Sequence, residues 1–259
     1  MFPVRDSNQR DLGKGLLLND ITREFELEQM KDEFIGIASH ELRTPLTGVQ
    51  GFAELLSETL EANTPEQEWA DRINSEAKRL SYLVSDLLDA SRLDSNSVVL
   101  HPERFSLNDC VNDSVQRVLA GRTPLREVMI SEDAAIEIEA DQGKLSQVLT
   151  NLVDNALKYS PHDLPVEVTY MAHGDRLRIE VSDHGQGIPR DQLDTIFDRF
   201  QRLDSNDPSV RGTGLGLYIT RQLVELMGGS LTVTSTLGRG STFSLDLPLH
   251  QAPANHLAA

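Results

Sequence analysis

Residues 39 to 46 read Ser39-His40-Glu41-Leu42-Arg43-Thr44-Pro45-Leu46, and this stretch decides the first half of the fold. His40 and Thr44 are four apart, so on a helix they lie one turn apart on one face, with Glu41 next to the imidazole. Around them Phe34, Ala38, Leu42, Val49, Phe52, Leu56 and Leu60 recur at spacings of three, four or seven. That is the stripe of an amphipathic helix, and it leaves His40 facing solvent on the other side. A lone surface histidine is an ordinary feature of such a helix; the rest of the chain gives this one its meaning.

Working outward, the periodicity predicts a helix from about Ile21 to Leu60, with Pro45 deleting a backbone hydrogen bond and bending the helix one turn past His40. Thr64-Pro65-Glu66-Gln67 supplies an N-cap, a proline at the first helical position and a Gln at the third. The second helix runs to about Leu93, with Trp69, Ile73, Ala77, Leu80, Val84 and Leu87 on one stripe. Two antiparallel helices with one apolar stripe each cannot bury both stripes as a lone pair, so the expected assembly is a homodimer closed as a four-helix bundle. Upstream, Gly15 to Thr22 reads as a short apolar strand running into the first helix. A strand without a partner is unstable alone. The Asp20-Ile21-Thr22 run resembles the exit strand of PAS sensor domains, which implies the residue of an upstream sensor domain at 1–20 and a helical signalling linker at 21–33.

Composition sets the outer bounds. The 259 residues, 39% hydrophobic, suffice for two modest domains with packed cores. A formal net charge of -17 argues against a nucleic-acid partner, since phosphate backbones recruit clustered Lys and Arg. The single cysteine, Cys110, excludes an internal disulfide and has no companion for a metal site, which suits a reducing cytoplasm. No apolar run approaches the roughly eighteen residues of a membrane span, so no membrane contact is expected within this chain, although an anchor can lie upstream.

From Phe105 onward the pattern changes to short β-rich segments alternating with helices. A helix is expected after Ser106, a strand at Val128 to Ile130, a long helix at Asp141 to Tyr159 and strands at Val166 to Met171 and Arg176 to Ser182. A helix at Thr213 to Leu226 and strands at Ser230 to Ser235 and Ser241 to Leu247 complete the set. His173-Gly174-Asp175 makes a hairpin of the middle two strands. The mixture predicts an α/β sandwich with helices on one face of a sheet. The organisation is therefore a helical hairpin at 34–98, an α/β sandwich at 99–250 and a disordered tail at 251–259.

Three elements of the second domain carry chemistry. In the helix from Gln147 to Tyr159, Asn151, Asn155, Lys158 and Tyr159 share one side; amide oxygens suit a hydrated magnesium ion, and Lys158 offers a point charge for phosphate. Asp183-His184-Gly185-Gln186-Gly187-Ile188-Pro189 follows a strand directly, placing a carboxylate before a loop whose glycines permit close backbone approach. A buried Asp there can accept a hydrogen bond from an exocyclic amine such as that of adenine. Gly212-Thr213-Gly214-Leu215-Gly216-Leu217 opens a helix, where free amides attract phosphate. It is not a Walker sequence, lacking Gly-Lys-Ser or Gly-Lys-Thr. Each element alone is commonplace; their fixed order behind the His40 helix is not.

The span from about Glu28 to Pro248 resembles the catalytic core of a sensor histidine kinase of two-component signalling. Such a core is a dimerisation and phosphoacceptor domain followed by an ATP-binding domain of the gyrase, Hsp90, histidine kinase and MutL superfamily, with the Bergerat-type sandwich. The resemblance implies that His40 is phosphorylated, that Asn155 holds magnesium, that Asn151 and Lys158 approach the phosphates and that Tyr159 lines the nucleotide pocket. Asp183 would bind the adenine amine, supported by Gly185, Gly187, Ile188 and Thr242. Ile196-Phe197-Asp198-Arg199-Phe200-Gln201-Arg202 resembles the family's phenylalanine-containing box, with Arg199 or Arg202 reaching the γ-phosphate. Residues 203–211 would form a lid closing with Gly212 to Leu217 over the triphosphate. Implied partners are a second copy, an upstream sensor domain and the receiver domain of a response regulator. Thr44, placed as in Glu-x-x-Thr kinases, is implied in dephosphorylating that regulator.

The chemistry follows from elementary requirements. In-line transfer of a γ-phosphoryl group needs positioning and charge neutralisation more than covalent activation. The acceptor imidazole must be neutral; with a reference pKa of about 6.5, an imidazole in water largely is, and a carboxylate such as Glu41 can take the proton its other nitrogen sheds. A hydrolytic ATPase of the same superfamily would place a catalytic Glu four residues before the magnesium Asn, where this chain has Asn151. A pseudokinase is disfavoured because no motif is visibly broken.

Overall fold

The computed structural model describes residues 2–5, 11–15, 22–61, 64–95, 97–120, 126–132, 135–201 and 213–250. Strands β1 (Phe2–Arg5) and β2 (Asp11–Gly15) form an antiparallel hairpin. The strand expected at Gly15 to Thr22 lies outside the described residues except for its two ends, Gly15 closing β2 and Thr22 opening α1. Two strands alone are only marginally stable, so the hairpin says nothing about a larger sensor sheet.

Helices α1 (Thr22–Thr59) and α2 (Pro65–Asp94) follow as an antiparallel hairpin, with Pro45 accommodated inside α1. Thr64 caps α2 as its sequence predicts, its hydroxyl accepting from the Gln67 amide at 3.3 Å. Gln50 donates to Ser81 at 3.2 Å, Lys78 pairs with Glu54 at 2.9 Å and Ser57 donates to Asp71 at 2.5 Å, which fixes the register. The Lys78 ammonium holds the Glu54 carboxyl below its usual range. Between the helices the buried side chains are Ala53, Ala70 and Ala77, whereas Val49, Phe52, Leu56, Trp69, Ile73 and Leu80 are exposed. Alanines bury little area, and burying a large apolar side chain contributes about 1.5–3 kcal/mol. Most of the hairpin's available stabilisation thus remains on an uncovered face.

The second unit needs no such help. The main sheet runs β4 (Val128–Glu132), β6 (Val166–His173), β7 (Arg176–Asp183), β9 (Gly240–Pro248), β8 (Ser230–Thr236), with β4 and β6 parallel and the other neighbours antiparallel. Alternation in β7 buries Leu177, Ile179, Val181 and Asp183 on one face while Arg178, Glu180 and Ser182 point to the other. Helices α3 (Leu107–Leu119), α4 (Gln142–Tyr159) and α5 (Gly216–Leu226) cover the first face, and Leu145, Leu149, Leu152 and Leu223 are almost wholly buried there. This is the single-faced sandwich the alternation predicts. A small second sheet pairs β3 (Glu103–Ser106) with β5 (Glu137–Ala140), which the sequence did not signal: β3 is four residues long, lacks alternation and runs straight into Ser106, the N-cap of α3.

Candidate functional site

The site grows from the ends of three elements. Asp141 caps α4 with one carboxylate oxygen on the Lys144 amide at 3.0 Å and the other on the His101 amide at 2.9 Å. Nearly three turns on, Asn151 donates to the Thr220 hydroxyl of α5 at 2.6 Å, which aligns the two helices and holds the amide in place. Asn155 follows half-buried on the same side, and the Lys158 ammonium lies 5.3 Å from the centre of the Tyr159 ring, a cation–π distance. Arg126, buried, fastens the end of α4 by donating to the carbonyls of Leu157 (2.9 Å), Ser160 (3.2 Å) and Pro161 (2.6 Å).

Asp183 is the last residue of β7 and is buried; its carboxylate accepts from the Gly185 amide at 2.7 Å. Burial pushes its carboxyl above the usual range, and hydrogen bonds from Gly185 and Ser241 draw it partly back. The glycines around it are required by the protein's own backbone. A Cβ on Gly185 would lie 2.4 Å from the Tyr159 carbonyl oxygen, and on Gly187, where φ is +71°, 2.3 Å from the Thr236 carbonyl oxygen. Ile188, buried, donates its amide to Ser235 at 2.8 Å. The loop thus passes between the end of α4 and the β8–β9 hairpin, with the carboxylate beneath it.

Sequence reasoning placed Thr242 beside Asp183; the register corrects this. Asp183 pairs with Ser241, while Thr242 lies across from Ser182 on the opposite face of the sheet, with their hydroxyls 2.9 Å apart. Ser241 is the neighbour on the Asp183 side, and its hydroxyl lies 3.0 Å from that of Ser235. The alternation Ser241, Phe243, Leu245 would have revealed it.

At α5 the helix begins at Gly216, three residues later than the sequence suggested, because Thr213 turns back to accept the Leu215 amide at 3.0 Å. A Cβ on Gly216 would lie 2.6 Å from the Asn151 side-chain oxygen, and on Gly214, where φ is +73°, 2.7 Å from the Phe200 backbone. Leu215 is buried and Leu217 packs on the core. Along α4, Asn151 and Asn155 thereby lie between the start of α5, which meets the helix at Asn151, and the Asp183 loop, which meets it at Tyr159. Arg199 lies elsewhere. It pairs with Asp94 of α2, donates to the Tyr218 hydroxyl at 2.8 Å and stacks over that ring, on the side of α5 away from Asn151. Glu41 and Thr44 are exposed on α1, whose helical backbone includes His40. The His40 side chain, Arg202, Gly212 and the lid at 203–211 lie outside the described residues.

A buried carboxylate as acceptor, an amide-bearing helix face and a glycine-opened helix N-terminus with free amide donors suit an adenine nucleotide with phosphates at α5. Among the described residues no group of three or more His, Cys, Asp or Glu side chains could hold a metal ion alone.

Comparison with known proteins agrees with this division. Residues 30–96 match the His Kinase A (phospho-acceptor) domain, and residues 140–251 match the histidine kinase-, DNA gyrase B- and HSP90-like ATPase. The chain is 32% identical over 253 residues to the alginate biosynthesis sensor protein KinB of Pseudomonas aeruginosa, covering 96% of this chain and 42% of that protein. It is 33% identical over 252 residues to the sensor histidine kinase WalK of Bacillus subtilis, covering 93% and 41%. The chain thus spans about two fifths of the length of these relatives. Among solved structures, full-length ShkA in complex with AMPPNP superimposes with a TM-score of 0.69 at 30% identity, covering 86% of this chain and 47% of that one. With a phosphoacceptor domain and a nucleotide-binding ATPase domain in tandem on the same chain, this protein belongs to the sensor histidine kinases.

Proposed function

We propose that this chain is the kinase core that transfers the γ-phosphoryl group of ATP to His40 and passes it on to an aspartate of a response-regulator receiver domain. The observation that carries the reading is Asp183: a buried carboxylate at a strand end, held by Gly185 and Ser241, is costly to the fold and suited to an adenine amine. In the transfer, a nitrogen of His40 forms the phosphorus–nitrogen bond as the bond to the departing ADP oxygen breaks, and Glu41 accepts the proton released from the other nitrogen. Asn155 would hold a magnesium ion, which neutralises phosphate charge when bound. Asn151 supports transfer over hydrolysis, because a carboxamide, unlike a carboxylate at that position, is not basic enough to take a proton from water.

The assembly follows from the uncovered hairpin face. Leu46, Val49, Trp69, Ile73, Ala77 and Leu80 line an apolar groove of about 460 Å³, which we assign to the same helices of a second copy in a four-helix bundle. An upstream sensor domain would act through α1. Among the described residues no helix is long and apolar enough to cross a membrane. Thr44, exposed on α1 one turn from His40, would supply the hydroxyl implicated in dephosphorylating the regulator.

Labelled ATP with magnesium tests the proposal: the product should be acid-labile and base-stable, and His40→Gln should abolish it while nucleotide binding persists. Label retained in that variant would sink the assignment. For the second activity, Thr44→Ala should lose regulator dephosphorylation and keep autophosphorylation.

A further inference from the structure

Residues 95–102 separate the end of α2 at Asp94 from the start of β3 at Glu103. The second half of this connection is seated on the ATP-binding domain as an extended segment. Val98 and Leu100 pack against the domain's core, and Val99 between them is 55% exposed. One residue on, the backbone amide of His101 donates to the Asp141 carboxylate at 2.9 Å. The part of the connection with no hold on the domain is thereby shortened to residues 95–97.

The residue type at position 141 is informative. Ser and Asn cap a helix about as well as Asp, and neither buries a charge. Asp141 is buried, yet only one of its carboxylate oxygens serves the cap, accepting from the Lys144 amide at 3.0 Å. The other takes the His101 amide. Among the good capping residues only Asp has two acceptor oxygens to divide between two amides. The carboxylate therefore does something that the cap does not require: it fastens the connection to α4, the helix that bears Asn151, Asn155 and Lys158.

We propose that Asp141 is a positioning residue for phosphoryl transfer to His40, and that it acts by keeping the tether between the two domains short. The inference rests on the kinase reading above. A tethered donor meets its acceptor at an effective concentration that falls roughly as the −3/2 power of tether length. Extending the free chain from 95–97 to 95–102, three residues to eight, therefore lowers that concentration about fourfold. A hydrogen bond to a carboxylate shifts the equilibrium between seated and released segment about 10- to 100-fold, which is enough to decide the populated state. Asp141 stands nearly three turns before Asn151, so loss of the clasp leaves the bonds of the nucleotide site itself in place.

The test uses the full chain. Asp141→Asn keeps an acceptor for the Lys144 amide and puts an NH2 group in place of the second oxygen; Asp141→Ser keeps the cap through a hydroxyl alone. In both variants, without nucleotide, amide hydrogen exchange across residues 98–101 should quicken about tenfold or more. Affinity for Mg-AMPPNP should change less than twofold, while kcat for His40 phosphorylation falls about fourfold at unchanged KM for ATP. A residue that only stabilises α4 would lose AMPPNP affinity together with kcat, and that result would overturn the positioning role. Unchanged exchange, unchanged kcat or faster transfer in both variants would overturn it as well. If the unaltered chain acquired no label at His40, the kinase reading itself would fall and the positioning role with it, whereas a normal parent with unaffected variants removes the positioning role alone.

Discussion

Asp183 and Ser241 face each other across the β7–β9 ladder on the helix-covered side of the sheet, and the pairing holds a carboxylate where a fold alone would place an apolar side chain. Its carboxyl is raised above the usual range by burial. The consequence has a definite sign. Below the unfolded value, about 3.9, both states are protonated; as pH rises, the unfolded chain ionises first and stability is lost until the folded carboxyl ionises too. Asp183→Asn should therefore melt at a higher temperature than the unaltered protein at pH 7, with the gain vanishing near pH 3. Nucleotide affinity should fall about 10- to 100-fold, since a hydrogen bond to a charged group contributes about 1.5–3 kcal/mol. Unchanged affinity in a calorimetric titration would remove Asp183 from the site.

Gly214 has φ of +73°, and a Cβ there would meet the Phe200 backbone at 2.7 Å; Phe200 itself has φ of +60°. Two left-handed residues in contact leave no room for relaxation. Gly214→Ala should cost about 1–3 kcal/mol and weaken nucleotide binding at the start of α5. Gly143→Ala is the comparison: its Cβ would meet only the Asp141 carboxylate, at 3.4 Å inside α4, and should be neutral or stabilising by up to about 1 kcal/mol. Equal melting temperatures for the two variants would show that the contact is not strained.

These particulars show what was legible in the chain. Helix α4, the β6–β7 hairpin and Asp183 followed from period and turn chemistry, because each is decided by residues close in sequence. Thr242 and Arg199 were misplaced for a different reason. Which of Ser241 and Thr242 meets Asp183 depends on strand register over a separation of about sixty residues, and the destination of Arg199 depends on an acid on another domain, Asp94. Strands β3 and β5 were missed because four residues are too few to show a period.

The uncovered face of the hairpin predicts that oligomerisation and stability are coupled. Trp69 is 63% exposed and Ile73 49%, although both belong to the apolar stripe of α2. Ile73→Glu should convert a dimer to a monomer in light scattering and should abolish the dependence of the melting temperature on protein concentration. The ATP-binding domain, with its own core, should still fold and bind nucleotide. A monomeric parent protein at micromolar concentration would refute the bundle.

Arg126 links the integrity of α4 to the nucleotide site. Its guanidinium holds the carbonyls of Leu157, Ser160 and Pro161, and places a positive charge at the negative end of the helix. Arg126→Ala leaves those buried acceptors without this donor and should cost about 3 kcal/mol, lowering the melting temperature of the domain by about 6–12 °C. The damage should not stop there. The Tyr159 carbonyl at the same helix end lies directly under Gly185, so close that a Cβ would sit 2.4 Å away. Any shift of that end moves the loop whose amide holds Asp183. Nucleotide affinity should accordingly fall in Arg126→Ala at temperatures where the domain is still fully folded, whereas Arg190→Ala, at an exposed position, should change neither quantity. A variant at Arg126 that loses stability but keeps full nucleotide affinity would show that the helix end and the loop are mechanically independent.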